Sequence, residues 1–210
     1  ESLAGTVSGG GSSHTPVSCD FHDALVRKVL QPRDNIISFN YDCVIDYALK
    51  KCGSGKWNAR YGYGLDLGLG RQNLTGDSHW NPTTPIRKKD TLKLFKLHGS
   101  LHFQITGTKK DKVNLKQRPY TRQRGNLKFS IIPPEWNKAY DKGFFAGLWK
   151  RAATAIKQAE HIVMIGYSLP ETDLHSNALF RTCMVSGKLK SLVVVNPDRA
   201  ARTRIRSVLQ

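Results

Sequence analysis

Three short, almost entirely apolar runs constrain this chain more than any other feature: IISF at 36–39, IVMI at 162–165 and LVVV at 192–195. Each is of strand length, and each is closed by a break carrying Asn, Gly or Pro. After each break apolar residues resume at helical spacing. A strand with no polar face needs cover on both sides, and such strands alternating with helices belong to parallel sheets. The expected class is therefore α/β, a Rossmann-like parallel sheet with helices on both faces.

The intervening segments fit this frame. Phe21, Leu25, Val26, Val29 and Leu30 recur at helical spacing across 19–30, and Pro32 ends that helix before a strand at 35–39. A helix at 42–51 follows. Residues 53–91 have scattered Gly, Asn and Pro and no sustained period, which predicts an irregular inserted lobe. The stretch 92–97 (LKLFKL) mixes apolar and basic residues, as a strand exposed on one side does, and ends at His98-Gly99. FFAGLWKRAATAIKQA at 144–159 is an amphipathic helix. Asp173 is placed to cap a helix running to 185, and Pro197 falls in the first turn expected for the last helix. Residues 1–18, rich in Gly, Ser and Thr, read as a flexible N-terminal segment preceding one domain at 19–210.

Lys and Arg number 33 against 16 Asp and Glu, a formal charge of +17. That field attracts phosphates, nucleic acid or anionic cofactors. It is densest at 106–128 (TGTKKDKVNLKQRPYTRQRGNLK), expected as a solvated basic loop or, alternatively, as a nucleic-acid-binding surface. Cys19, Cys43, Cys52 and Cys183 form no C-x-x-C pair and have no zinc-like His spacing, so no metal is expected and a reducing, cytoplasmic setting fits. No run reaches the ~20 apolar residues of a membrane helix, so no membrane partner is expected.

In an open parallel sheet, ligands bind outside the carboxyl ends of the strands. The residues there are Asn40, Tyr41 and Asp42; His98, Gly99 and Ser100; Gly166, Tyr167 and Ser168; and Asn196, Pro197 and Asp198. Each has a plain structural account: Asn40 and Asp42 as helix caps, His98 as a satisfied histidine beneath a glycine turn, the others as turn residues. Their convergence on one sheet edge favours a shared site.

FNYD, KLHGS, IIPP, MIGYSLPETD and VVVNPD stand in an order and spacing similar to sirtuin-like (SIR2-like) domains, over about residues 35–200. The chain most resembles the zinc-free branch found in prokaryotic antiviral defence proteins. The resemblance implies NAD as substrate, hydrolysis to nicotinamide and ADP-ribose, and work alongside other domains or as a homo-oligomer. It assigns Asn40 to water and ribose, His98 to the role of base toward the ribose hydroxyls, and Asp42 to the nicotinamide carboxamide. Gly166, Tyr167 and Ser168 fall on the cofactor-binding turn, and Asn196 on the residue that binds the adenosine ribose.

Three departures shape the expectation. Phe39 stands where deacylases have Gln before the matched Asn, and the paired zinc cysteines are missing, which favours NAD hydrolysis over deacylation. The family's opening strand and Gly-Ala-Gly loop have only a poor counterpart in AGTVSGGGS. Either that part lies outside this chain, or the domain is a silent nucleotide-binding module.

Overall fold

The computed structural model describes residues 18–65, 67, 80, 86–106, 112–116, 130–131, 143–184 and 188–209. The first apolar run becomes strand β1 (Asn35–Ser38), which pairs in parallel with β2 (Lys93–Lys96) in the register Asn35↔Lys93 to Ser38↔Lys96. The ladder continues past the strands, since the Leu97 N–H donates to the Ser38 carbonyl at 3.1 Å. The segment between them holds helix α2 (Val44–Cys52) and the four-residue helix α3 (Ala59–Gly62). Helix α2 turns Ile45, Ala48 and Leu49 inward at the spacing of one helical face.

Before β1, helix α1 (Asp20–Ala24) widens into a π-helical stretch, Leu25–Val29. The wider turn changes which side chains face inward. Asp23 and Val26 are buried, Asp23 bridging Lys51 at 2.5 Å, whereas Phe21 and Val29 face solvent. Of the apolar positions read from 3.6-residue spacing, Val26 is buried and Leu25 and Leu30 are half-buried, while Val29, at the end of the widened stretch, is turned outward as the period changes.

After β2 the chain turns through the positive-φ Gly99 into β3 (Gly99–Ser100), which pairs antiparallel with β6 (Ser130–Ile131). Strands β4 (Phe103–Thr106) and β5 (Lys112–Leu115) form an antiparallel pair with Val113 and Leu115 buried. Part of the stretch expected as a basic loop at 106–128 is therefore strand. Its apolar residues sit two apart and fill one face, and the surrounding lysines masked that signal. Most of the rest of that stretch, like residues 1–17, lies outside the described residues.

Helix α4 (Gly143–Gln158) precedes β7 (His161–Ile165), α5 (Leu174–Met184), β8 (Ser191–Val195) and α6 (Arg199–Leu209). Strands β7 and β8 are parallel, in the register His161↔Ser191 to Ile165↔Val195. The chain divides into two compact units: Glu1–Ile132 with Lys142–Leu148, and Pro133–Asp141 with Trp149–Gln210. The first has a core around Tyr63, Leu94, Leu97 and Phe103, with Phe103 edge-on to Phe144 at 5.8 Å. The second buries Met164, Leu169, Phe180, Ala201 and Ile205.

The fold is α/β and Rossmann-like, built of parallel strand pairs with helices. Two details differ from the sequence expectation. Strand β2, expected to be exposed on one side, pairs with β1 and buries Lys96 completely. Alternate side chains of the β7–β8 pair, Val163, Ile165, Val193 and Val195, are 58, 60, 49 and 52% exposed, so this pair is covered on one face only.

Candidate functional site

The register of β1 and β2 places Asn40 and His98 at the same level, each two residues beyond the last pair, Ser38↔Lys96. Their side chains meet different surroundings. Asn40 is exposed, and among the described residues its amide side chain makes no hydrogen bond. His98 is 4% exposed, edge-on to Phe39 with ring centroids 5.3 Å apart and 6.2 Å from Tyr41. The aromatic Phe39 that departs from the deacylase pattern is therefore a wall of the histidine's pocket.

Asp42 is half-buried ahead of α2, and its Oδ1 accepts the Val44 N–H at 2.9 Å. That bond holds the first N–H of α2, while the N-cap position itself is Cys43, whose side chain makes no capping bond. Among the described residues Oδ2 makes no hydrogen bond, so one carboxylate oxygen is committed to the fold and the other is not. Ser100 donates to the Tyr41 carbonyl at 3.3 Å, and the Leu101 N–H donates to the same carbonyl at 2.9 Å. The Asn-Tyr-Asp loop is thus tied to the turn that carries His98.

Beneath this loop lies a polar cluster that sequence reasoning missed. Lys96 and Asp46 are both 0% exposed and form an ion pair with Nζ and Oδ2 2.9 Å apart. The Tyr63 hydroxyl donates to Asp46 Oδ1 at 2.7 Å and lies 3.0 Å from His102 Nε2. On the other side of that imidazole, Nδ1 lies 2.9 Å from Ser100 Oγ and 3.0 Å from Cys43 Sγ. Burial alone would raise the Asp46 pKa, but the Lys96 and His102 charges and the Tyr63 and Lys96 hydrogen bonds outweigh it and hold it below the usual carboxylate range. Burial opposes the Lys96 charge in the same way, and Asp46 more than restores it. Cys43, His102 and Asp46 have the order of a nucleophilic triad, but burial and the Asp46 charge push the thiol up to about 12, so no thiolate forms near neutrality. This cluster braces the loop above it. Each alone reads as an ordinary charge, Lys96 in a strand of mixed apolar and basic residues and Asp46 in the first turn of α2.

In the second unit, Gly166 follows β7 with φ +69, and a Cβ there would meet nothing within 4 Å. Glycine is present for its backbone conformation and not for packing. Its N–H donates to the Val195 carbonyl at 2.9 Å, joining the two strand ends. The Tyr167 hydroxyl donates to Asp173 at 2.8 Å, and Asp173 also accepts the Ser176 hydroxyl at 2.7 Å and the Ser176 N–H at 3.3 Å, capping α5 as expected. The Asn196 amide donates to the Tyr167 carbonyl at 3.2 Å and accepts the Asp198 N–H at 2.9 Å. Asp198 caps α6 through the Ala200 N–H at 2.8 Å, which leaves Pro197 ahead of the helix and outside its first turn. Arg204 donates to the Ser168 carbonyl at 3.1 Å and Arg202 to the Pro197 carbonyl at 3.0 Å. Gly166, Tyr167, Ser168 and Asn196 therefore lie in one hydrogen-bonded assembly.

A family model described as a SIR2-like domain matches residues 34–206. The chain belongs to the SIR2-like domain family. Comparison with curated proteins returns no match. The match begins just before β1 and ends within α6, so it takes in every candidate residue of this SIR2-like domain. SIR2-like domains bind NAD, which makes NAD the ligand against which these groups are weighed. Among the described residues no cluster of His, Cys, Asp and Glu is arranged to hold a metal, and no helix is long and apolar enough to cross a membrane.

Proposed function

We propose that this SIR2-like domain binds NAD and hydrolyses it to nicotinamide and ADP-ribose, in the manner of the zinc-free defence branch. The observation that carries this reading is the placement of Asn40 and His98 at matching positions beyond a parallel strand pair, with Asp42 beside Asn40. The donor set suits the substrate. A free amide, an imidazole and a carboxylate oxygen without a helix contact are groups that orient ribose hydroxyls, a water and a carboxamide.

In the reaction the bond between ribose C1′ and the nicotinamide nitrogen breaks, its electron pair leaves with neutral nicotinamide, and positive charge develops on the ribose. Asp42 and the amide dipole of Asn40 stabilise that charge. Asn40 orients a water toward C1′, and as the new C–O bond forms the water gives its proton to a ribose hydroxyl, which passes its own on to His98. The His98 imidazole is the base that accepts the proton from that ribose hydroxyl. Within the second unit, the family resemblance assigns Gly166, Tyr167, Ser168 and Asn196 to nucleotide binding, and the positive-φ Gly166 presents backbone with no Cβ. The basic stretch at 106–128 is the candidate surface for nucleic acid.

A second reading, nucleotide binding without turnover, draws on the Asn196 amide, which is already engaged by Tyr167 and Asp198. Incubating the protein with NAD and quantifying both products separates the two. Hydrolysis predicts nicotinamide and ADP-ribose in equal amounts. A melting temperature raised by NAD with neither product formed supports the silent module instead.

A further inference from the structure

Lys96 closes β2 with its side chain wholly inside the core, where lysine is rarely found. A buried ion pair adds little net stability over apolar residues of similar volume, since desolvation offsets the attraction. Its hydrogen bonds show what else it does: besides pairing with Asp46, Lys96 Nζ donates to the backbone carbonyl of Asp42. The preceding carbonyl, that of Tyr41, is held by Ser100 and by the Leu101 N–H. Two consecutive carbonyls of the Asn-Tyr-Asp loop are thus fastened to residues 96, 100 and 101, which flank His98.

We propose that Lys96 is a positioning residue: anchored by Asp46, its ammonium fixes the Asp42 carbonyl and so sets Asn40 and Asp42 in place relative to His98. The proposal rests on the reading of those three residues as the NAD site. A charged donor makes a short, directional bond to a carbonyl, and from inside the core it has no water to exchange with. Tyr63, whose hydroxyl also binds Asp46, extends the brace into the 53–91 segment.

Amide hydrogen exchange and turnover together test this. In the wild-type protein the N–H groups of Val44, bound to Asp42, and Leu101, bound to Tyr41, are expected to exchange only on global unfolding although the loop above them is partly exposed. In Lys96→Met/Asp46→Asn, which removes both charges together, protection at Val44, Leu101 and the loop is expected to fall while β4 and β5 keep theirs. Nicotinamide release should then drop about 100-fold in kcat with KM little changed, the signature of misplacement and not of lost binding. If the wild type releases no nicotinamide, the NAD reading fails and exchange alone decides the positioning claim. Rapid exchange of Val44 and Leu101 in the wild type overturns it, and that measurement stands even if the double variant does not fold. A folded double variant with wild-type protection, or one with lost protection and unchanged kcat, overturns it too.

Discussion

At the residue scale, Asp42 binds the first N–H of α2 with one carboxylate oxygen, while the other makes no hydrogen bond among the described residues. Its Oδ1 accepts the Val44 N–H, and asparagine caps helices about as well as aspartate. Asp42→Asn therefore keeps that bond and nearly the same shape while removing the charge. The expected outcome is an almost unchanged melting temperature with clearly impaired NAD turnover, measured as nicotinamide release. Unchanged turnover in the folded variant would assign Asp42 to holding α2 alone. In the sequence this residue, Asn40 and His98 stand out as candidates because polar groups that end strands do. It did not show Lys96 and Asp46 as partners, since they are 50 positions apart and each alone resembles a surface charge.

At the element scale, the turn after β7 is tied to α5 through the Asp173 carboxylate. Asp173 accepts from Tyr167 and twice from Ser176, and Leu169 within the turn is buried with φ 47, a left-handed conformation unusual for a branched side chain. Asp173→Ala leaves those donors unsatisfied and is expected to cost about 2–3 kcal/mol, read as a lowered denaturation midpoint. Asp173→Asn retains an acceptor and should lose less. An unchanged midpoint in Asp173→Ala would show that the turn does not depend on this residue. The cap itself was legible, because Asp before a helical pattern is a local signal. The roles of Arg202 and Arg204, which hold the carbonyls of Pro197 and Ser168, were not, because arginines in a basic amphipathic helix look like solvated charge. The π-helical widening of α1 was likewise hidden, since a 3.6-residue spacing presumes one fixed turn.

At the scale of the whole molecule, the parallel pairing of β7 with β8 followed from continuous apolar runs. The pairing of β1 with β2 did not, since β2 reads as a half-exposed strand until its Lys96 is seen to be neutralised inside the core. The lobe boundaries at 53–91 carry no periodic signal, yet buried Trp57, Tyr63 and Trp80 anchor that stretch. What unites these levels is the claim that Asn40 and His98, brought to one level by the strand register, carry the chemistry of NAD hydrolysis. The most direct test compares nicotinamide release by the wild-type protein with that by His98→Ala and Asn40→Ala, with folding checked by melting temperature. Loss of a positioned proton acceptor typically costs about 10²–10⁴-fold in rate, so both variants are expected to be folded and at least about 100-fold slower. Equal release from all three proteins would contradict the account.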